Sequence, residues 1–138
     1  MLNRTISERY APGSTFKVLT AIALIENGIA NPDTRMDSPV STTLPGTNTE
    51  VSNIESSTCG DGKPTLTEAF ARSCNTTFVL ASEKLTTQQL TDVTKRFGFG
   101  HEQEIPLTVI PSVFPSDADS AQLAMSSIGQ YTVPATPL

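Results

Sequence analysis

One histidine, two cysteines and nine basic residues among 138 leave this chain few routes to metal, redox or nucleic-acid chemistry. His101 has no partners at metal-ligand spacing, so no metal site is expected. Cys59 and Cys74 lack the Cys-x-x-Cys spacing of redox-catalytic pairs. Fourteen acidic against nine basic residues give a net charge of −5. No Lys/Arg cluster could track phosphates, which excludes nucleic acid as a partner. The apolar stretch from Val18 to Ile25 is too short to span a bilayer, and no signal sequence is expected within these residues. A membrane anchor, if the protein has one, is expected in a part of a longer chain. Internal repeats, a phosphate-cradling glycine loop and a paired-carboxylate signature are all absent, and no cofactor is expected.

What remains is enough for one domain with a modest core. From Ser14 the sequence runs apolar on every face through Phe16, Val18, Leu19, Ala21, Ile22, Ala23, Leu24 and Ile25, then stops at Glu26-Asn27-Gly28. This predicts a helix from about Ser14 to Asn27 with neighbours on all sides, closed by Gly28 in the left-handed conformation. The segment from 31 to 64 is rich in Thr and Ser and is punctuated by Pro32, Pro39, Pro45 and Gly46. It predicts turn-rich, extended structure with short strands at Met36 to Thr42 and Thr49 to Ile54. Thr65-Leu66-Thr67-Glu68 reads as a capping box opening a helix with Leu66, Ala69 and Phe70 inward. A second apolar pattern (Phe78, Val79, Ala81, Leu85) follows the break at Ser73-Cys74-Asn75. Thr86 to Gln89 caps a helix carrying Leu90, Val93 and Phe97 and ended by Gly98. Pro115-Ser116-Asp117 opens another, with Leu123, Ala124 and Ile128 inward and Gly129 at its end.

Two clusters in this outline carry chemistry. Ser14 and Lys17 lie three residues apart and share one face of a first helical turn. A serine needs a base to remove its proton, and a lysine stripped of solvent in an apolar helix can be that base. Backbone N–H groups at the helix start add positive potential where an oxyanion would develop. Ser73 and Asn75 lie in a tight helix-to-helix turn, where short polar side chains can point together at a ligand. The serine can relay a proton and the asparagine amide can hold a substrate amide. Helix capping is the alternative use of both residue types. Asn3-Arg4-Thr5 and Asn75-Thr76-Thr77 fit the glycosylation sequon, but a glycan at Asn75 would block the second cluster, and both are read as coincidence.

The segments ERYAPGSTFKVLTAIALIENG, ARSCNTTFVLASEKL, FGFG and AMSSIGQYTVPATPL resemble consecutive blocks of the penicillin-binding protein transpeptidase domain, of the class B and actinobacterial-like type. The resemblance covers nearly all of the chain. It implies an α/β fold of the β-lactamase/transpeptidase kind, of which this chain would be mainly the helical subdomain with short strands in residues 33–56. It implies a D,D-transpeptidase that cross-links peptidoglycan stem peptides ending in D-Ala-D-Ala through a serine acyl-enzyme, and that β-lactams acylate. Ser14 would then be the nucleophile and Lys17 its proton acceptor, with Ser73 and Asn75 as the second motif. The longer protein would be anchored in the plasma membrane, act on its extracytoplasmic face and work beside other cell-wall synthesis proteins.

Two departures accompany the matches. The family's third motif, Lys-Thr/Ser-Gly, does not occur, since Lys63-Pro64-Thr65 lacks the glycine and Pro64 could not pair within a strand. Residues 1–138 therefore look like an incomplete, truncated transpeptidase domain, expected to be poorly active alone. Tyr131 stands where the family usually has a glycine.

Peptidoglycan chemistry takes place outside the cytoplasm, where disulfides persist. Cys59 and Cys74 are then either a bridge pinning the turn of Ser73 and Asn75, or two unrelated small buried residues. Two other functions compete with transpeptidation. A serine β-lactamase needs a carboxylate to drive water onto the acyl-enzyme, for which Glu102 or Glu104 could be nominated. A non-catalytic penicillin-binding sensor would use the same serine. The blocks quoted favour the transpeptidase.

Overall fold

A computed structural model describes residues 3–103, 105–131 and 133–137. The short helix α1 (Arg4–Ser7) is capped by the Asn3 side chain and precedes an extended approach through Tyr10, which bridges Ala135. A 3-10 turn, Gly13–Phe16, then feeds α2 (Lys17–Glu26). Gly28 (φ +68°) ends α2: its N–H bonds Ile25 O and that of Ile29 bonds Leu24 O, which uses the carbonyls a helix end leaves free.

The 31–64 segment forms a single antiparallel pair, β1 (Ser41–Thr43) with β2 (Glu50–Ser52). Both strands are shorter than the sequence predicts. Met36 and Ser38 turn their N–H groups to another segment: Met36 bonds Pro64 O at 3.0 Å and Ser38 bonds Gly62 O at 2.9 Å. Pro39, which has no N–H, follows directly and cannot continue a ladder.

Helices α3 (Leu66–Ala71) and α4 (Asn75–Ser82) follow, then α5 (Thr87–Arg96) and α6 (Ser120–Ser126). Capping boxes form at Thr65/Glu68 and Thr86/Gln89, where the sequence places them. α6 starts later than predicted. Its cap is Asp119, boxed with Gln122, while Pro115 to Ala118 make a turn instead.

The core gathers Phe16, Leu24, Phe78, Val79, Leu90 and Leu123 from five of these segments. Six of the eight residues of α4 are buried in it. On α2, Leu19, Ala23 and Leu24 are buried, but Val18 and Ile25 are 43% and 45% exposed. Together with Ile22, Pro32 and Phe70 they line an apolar hollow of about 280 Å³. α3 borders the same hollow through Leu66, Thr67 and Phe70, and the space between it and this face of α2 is left unfilled. Phe70, predicted to face inward, lies at the edge of the hollow at 43% exposure, and Phe97 is exposed at the end of α5.

Candidate active site

Lys17 is the most unusual residue in the fold, because its side chain is 1% exposed yet no carboxylate pairs with it among the described residues. It opens α2, and its ammonium lies 5.7 Å from the centroid of the Phe78 ring. Nζ reaches four oxygens: Ser14 Oγ at 3.2 Å, Ser73 O at 2.8 Å, Ser73 Oγ at 2.9 Å and Asn75 Oδ1 at 2.7 Å. Dipoles rather than a countercharge surround it. Burial strips its hydration, and its pKa falls from 10.5 to about 8. An ammonium has three protons for these four acceptors. The neutral amine keeps a lone pair that can take the Ser14 proton while two N–H groups remain bonded to its other neighbours.

Ser73 owes its place to the way α3 stops. Its N–H bonds Phe70 O at 3.1 Å, and the next N–H, from Cys74, bonds Ala69 O at 2.9 Å. That pairing puts residue 73 in the left-handed conformation, φ +57°, which usually selects glycine. A serine there carries backbone strain of about 1–2 kcal/mol. In this conformation both its carbonyl and its hydroxyl face Lys17.

Asn75 begins α4 and has its amide orientation set from both sides. Oδ1 accepts from Lys17, and Nδ2 donates to Ser52 O of β2 at 3.0 Å. Asn53, next along the chain, is buried and was not singled out by the sequence. Its Oδ1 accepts from Thr76 N at 3.0 Å, and its Nδ2 donates to Pro39 O and Ser57 O at 3.0 and 3.1 Å. Asn53 thereby caps the start of α4 and ties the loop after β2 to it. An asparagine in a turn-rich stretch carries no local sign of such long-range bonds.

Ser14 is exposed, in the 3-10 turn that precedes α2. Its N–H lies ahead of the first helical bond and meets no backbone acceptor among the described residues, so it is free for an oxyanion. Phe16 anchors the turn by packing on Phe99 and Phe114, with ring centroids 5.8 and 5.9 Å away.

The structure joins Cys59 to Cys74 in a disulfide with Cα atoms 5.9 Å apart, beside Ser73 and Asn75. His101 and Glu102 are exposed in the loop after α5, and Glu102 makes no hydrogen bond to the four clustered side chains; Glu104 lies outside the described residues. Tyr131 holds the left-handed φ of +67° that a glycine would take easily, and its hydroxyl accepts from Gln122 at 2.9 Å. No set of three or more His, Cys, Asp or Glu residues could hold a metal ion among the described residues.

Residues 1–138 match the family described as the penicillin binding protein transpeptidase domain. The chain belongs to that family. It is 45% identical to the peptidoglycan D,D-transpeptidase PbpA of Mycolicibacterium smegmatis and 40% identical to PbpA of Mycobacterium tuberculosis; in each case all of this chain aligns with 28% of the relative. The chain thus spans under a third of the length of these curated relatives. A solved structure of penicillin-binding protein A from M. tuberculosis, a penicillin G acyl-enzyme complex, superposes with a TM-score of 0.92 at 39% identity. That match covers 99% of this chain and 32% of the other. It confirms the α/β transpeptidase fold, of which the described residues hold mainly helices and a single two-stranded sheet.

Proposed function

We propose that this chain carries the nucleophile and base of a peptidoglycan D,D-transpeptidase that works through a serine acyl-enzyme. The observation that carries the reading is Lys17 Nζ, buried without a countercharge and within hydrogen-bonding distance of Ser14 Oγ, Ser73 Oγ and Asn75 Oδ1. In the neutral form Lys17 takes the hydroxyl proton as Ser14 Oγ attacks the carbonyl of the penultimate D-Ala. The oxyanion forms beside the free Ser14 N–H. The C–N bond then breaks, and the proton passes from Lys17 through the Ser73 hydroxyl to the leaving amine, D-Ala. An amine from a neighbouring stem peptide attacks the Ser14 ester, gives its proton back to the Ser14 oxygen by the reverse relay, and closes the cross-link. Asn75 holds the amide of the acyl donor.

β-Lactams fit the same steps, because opening of their ring leaves the departing nitrogen tethered in the site. The relatives' names and the penicillin G complex of M. tuberculosis penicillin-binding protein A support this reading. The longer protein is proposed to be membrane-anchored, on the extracytoplasmic face, beside other cell-wall synthesis proteins. No helix among the described residues is long and apolar enough to cross a membrane.

The test is the reaction itself. The full-length protein, given a stem-peptide donor ending in D-Ala-D-Ala and an amine acceptor, should release D-Ala and form the amide cross-link in equal amounts. D-Ala release with water as the sole acceptor would identify a carboxypeptidase instead, and acylation by penicillin without any D-Ala release would identify a sensor.

A further inference from the structure

Gly129 lies outside the four-residue cluster but touches the turn that presents its nucleophile. It closes α6 in the left-handed conformation, φ +70°, with the N–H of Gln130 bonded to Met125 O at 3.0 Å. Its carbonyl accepts the N–H of Gly13, the residue before Ser14, at 2.9 Å. The two backbones are so close that a Cβ on Gly129 would sit 1.9 Å from Gly13 O and 2.8 Å from Gly13 N. Both atoms belong to the backbone, so no side-chain rotation could relieve the clash.

The rest of this chain end is held as firmly. Thr20 of α2 donates through its hydroxyl to Ser127 O at 2.7 Å, and Thr20, Ser126 and Ser127 are all 0% exposed. Ser127 Oγ lies 2.6 Å from Ala124 O and 3.3 Å from Phe78 O of α4. The end of α6 is therefore wedged between the helix that follows Ser14 and the helix that carries Asn75.

We propose that Gly129 is a positioning residue for acylation: the bare backbone at 129 sets the Gly13–Ser14 turn, and with it the direction of the Ser14 N–H and Oγ. This rests on the acyl-enzyme reading above. Ser14 N–H and Gly13 N–H are consecutive donors; Gly13 N–H is taken by Gly129 O, while Ser14 N–H meets no backbone acceptor among the described residues. A methyl group at 129 must push Gly13 away, which tilts the peptide that stabilises the oxyanion and moves Oγ from Lys17. Misplacement of about 1 Å at such a site costs on the order of a hundredfold in rate.

The experiment compares three single variants of the full-length protein by time-resolved penicillin labelling, resolving the limiting acylation rate from the noncovalent dissociation constant. Gly129→Ala should lower the limiting rate per folded molecule by at least about tenfold, with the dissociation constant little changed. Gly28→Ala is the matched control. It meets the same left-handed penalty (φ +68°) at the far end of α2, but its added Cβ would touch nothing within 4 Å. It should acylate as the unaltered protein does. Thr20→Val keeps the volume, removes the anchor on Ser127 O and should lower the limiting rate several-fold; it decides the question if Gly129→Ala does not fold. A limiting rate equal to that of the unaltered protein in Gly129→Ala, or in Thr20→Val where the former is unfolded, overturns the proposal. Failure of the unaltered protein and Gly28→Ala to acylate would instead overturn the acyl-enzyme reading.

Discussion

At the scale of single residues, Lys17 has the sharpest consequences. Its pKa of about 8 in the fold, against 10.5 when solvated, means that acylation should rise with pH and level off above an inflection near 8. The same shift acts on stability with a definite sign. Below pH 8 the lysine is protonated in both the folded and unfolded states, and the fold bears the full cost of burying the charge. Between about 8 and 10.5 the folded state has released the proton while the unfolded state keeps it, so stability increases with pH through that window. Denaturant titrations at pH 7, 8.5 and 10 should show this increment, and Lys17→Met should lack it. Ser73 offers a second test. Ser73→Ala and Ser73→Gly both remove the hydroxyl on Lys17, and both should cost much of the acylation rate. Only glycine relieves the left-handed backbone, so Ser73→Gly should be about 1 kcal/mol more stable than Ser73→Ala by chemical denaturation. Equal stabilities would remove strain from the account of this turn.

At the scale of elements, the site depends on the α3–α4 junction. The capping boxes at Thr65/Glu68 and Thr86/Gln89 were legible because their partners lie three residues apart. Asp119/Gln122 has the same spacing, yet the polar cluster Pro115-Ser116-Asp117 competes with it as a helix start, and only packing of the loop decides. Ser14, Lys17, Ser73 and Asn75 could be nominated from short motifs, and the fold brings them around one amine. Their supports could not be read, because they come from far along the chain. Asn53 bonds to residues on both sides of it and to α4, and the left-handed Ser73 depends on how α3 ends. The uncovered stripe on α2 was hidden for a related reason, since an all-apolar helix does not reveal which of its faces has a neighbour. Asn53→Ala removes the cap of α4 and leaves the buried N–H of Thr76 without its side-chain acceptor. It should cost about 2–3 kcal/mol and slow acylation together. Reducing the Cys59–Cys74 bridge, which closes a sequence separation of 15 residues, should cost about 3 kcal/mol by the loop-closure argument. Thermal unfolding with and without reductant checks this.

At the scale of the whole molecule, the described residues form one helical core, with Ser14, Lys17, Ser73 and Asn75 clustered together. The Lys-Thr/Ser-Gly motif, which the resemblance implies would supply a second oxyanion donor and a cation for the substrate carboxylate, does not occur within these 138 residues. Loss of one oxyanion donor costs on the order of a hundredfold. Residues 1–138 alone are therefore expected to take up penicillin at least about a hundredfold more slowly than the full-length protein. Equal rates would show that the motif is dispensable for acylation.

The most direct test of the account is to find where penicillin attaches. The full-length protein, incubated with penicillin at pH 8.5, digested and mapped by mass spectrometry, should carry a single adduct on Ser14, and Ser14→Ala should carry none. An adduct on any other residue, or one that persists in Ser14→Ala, would contradict it.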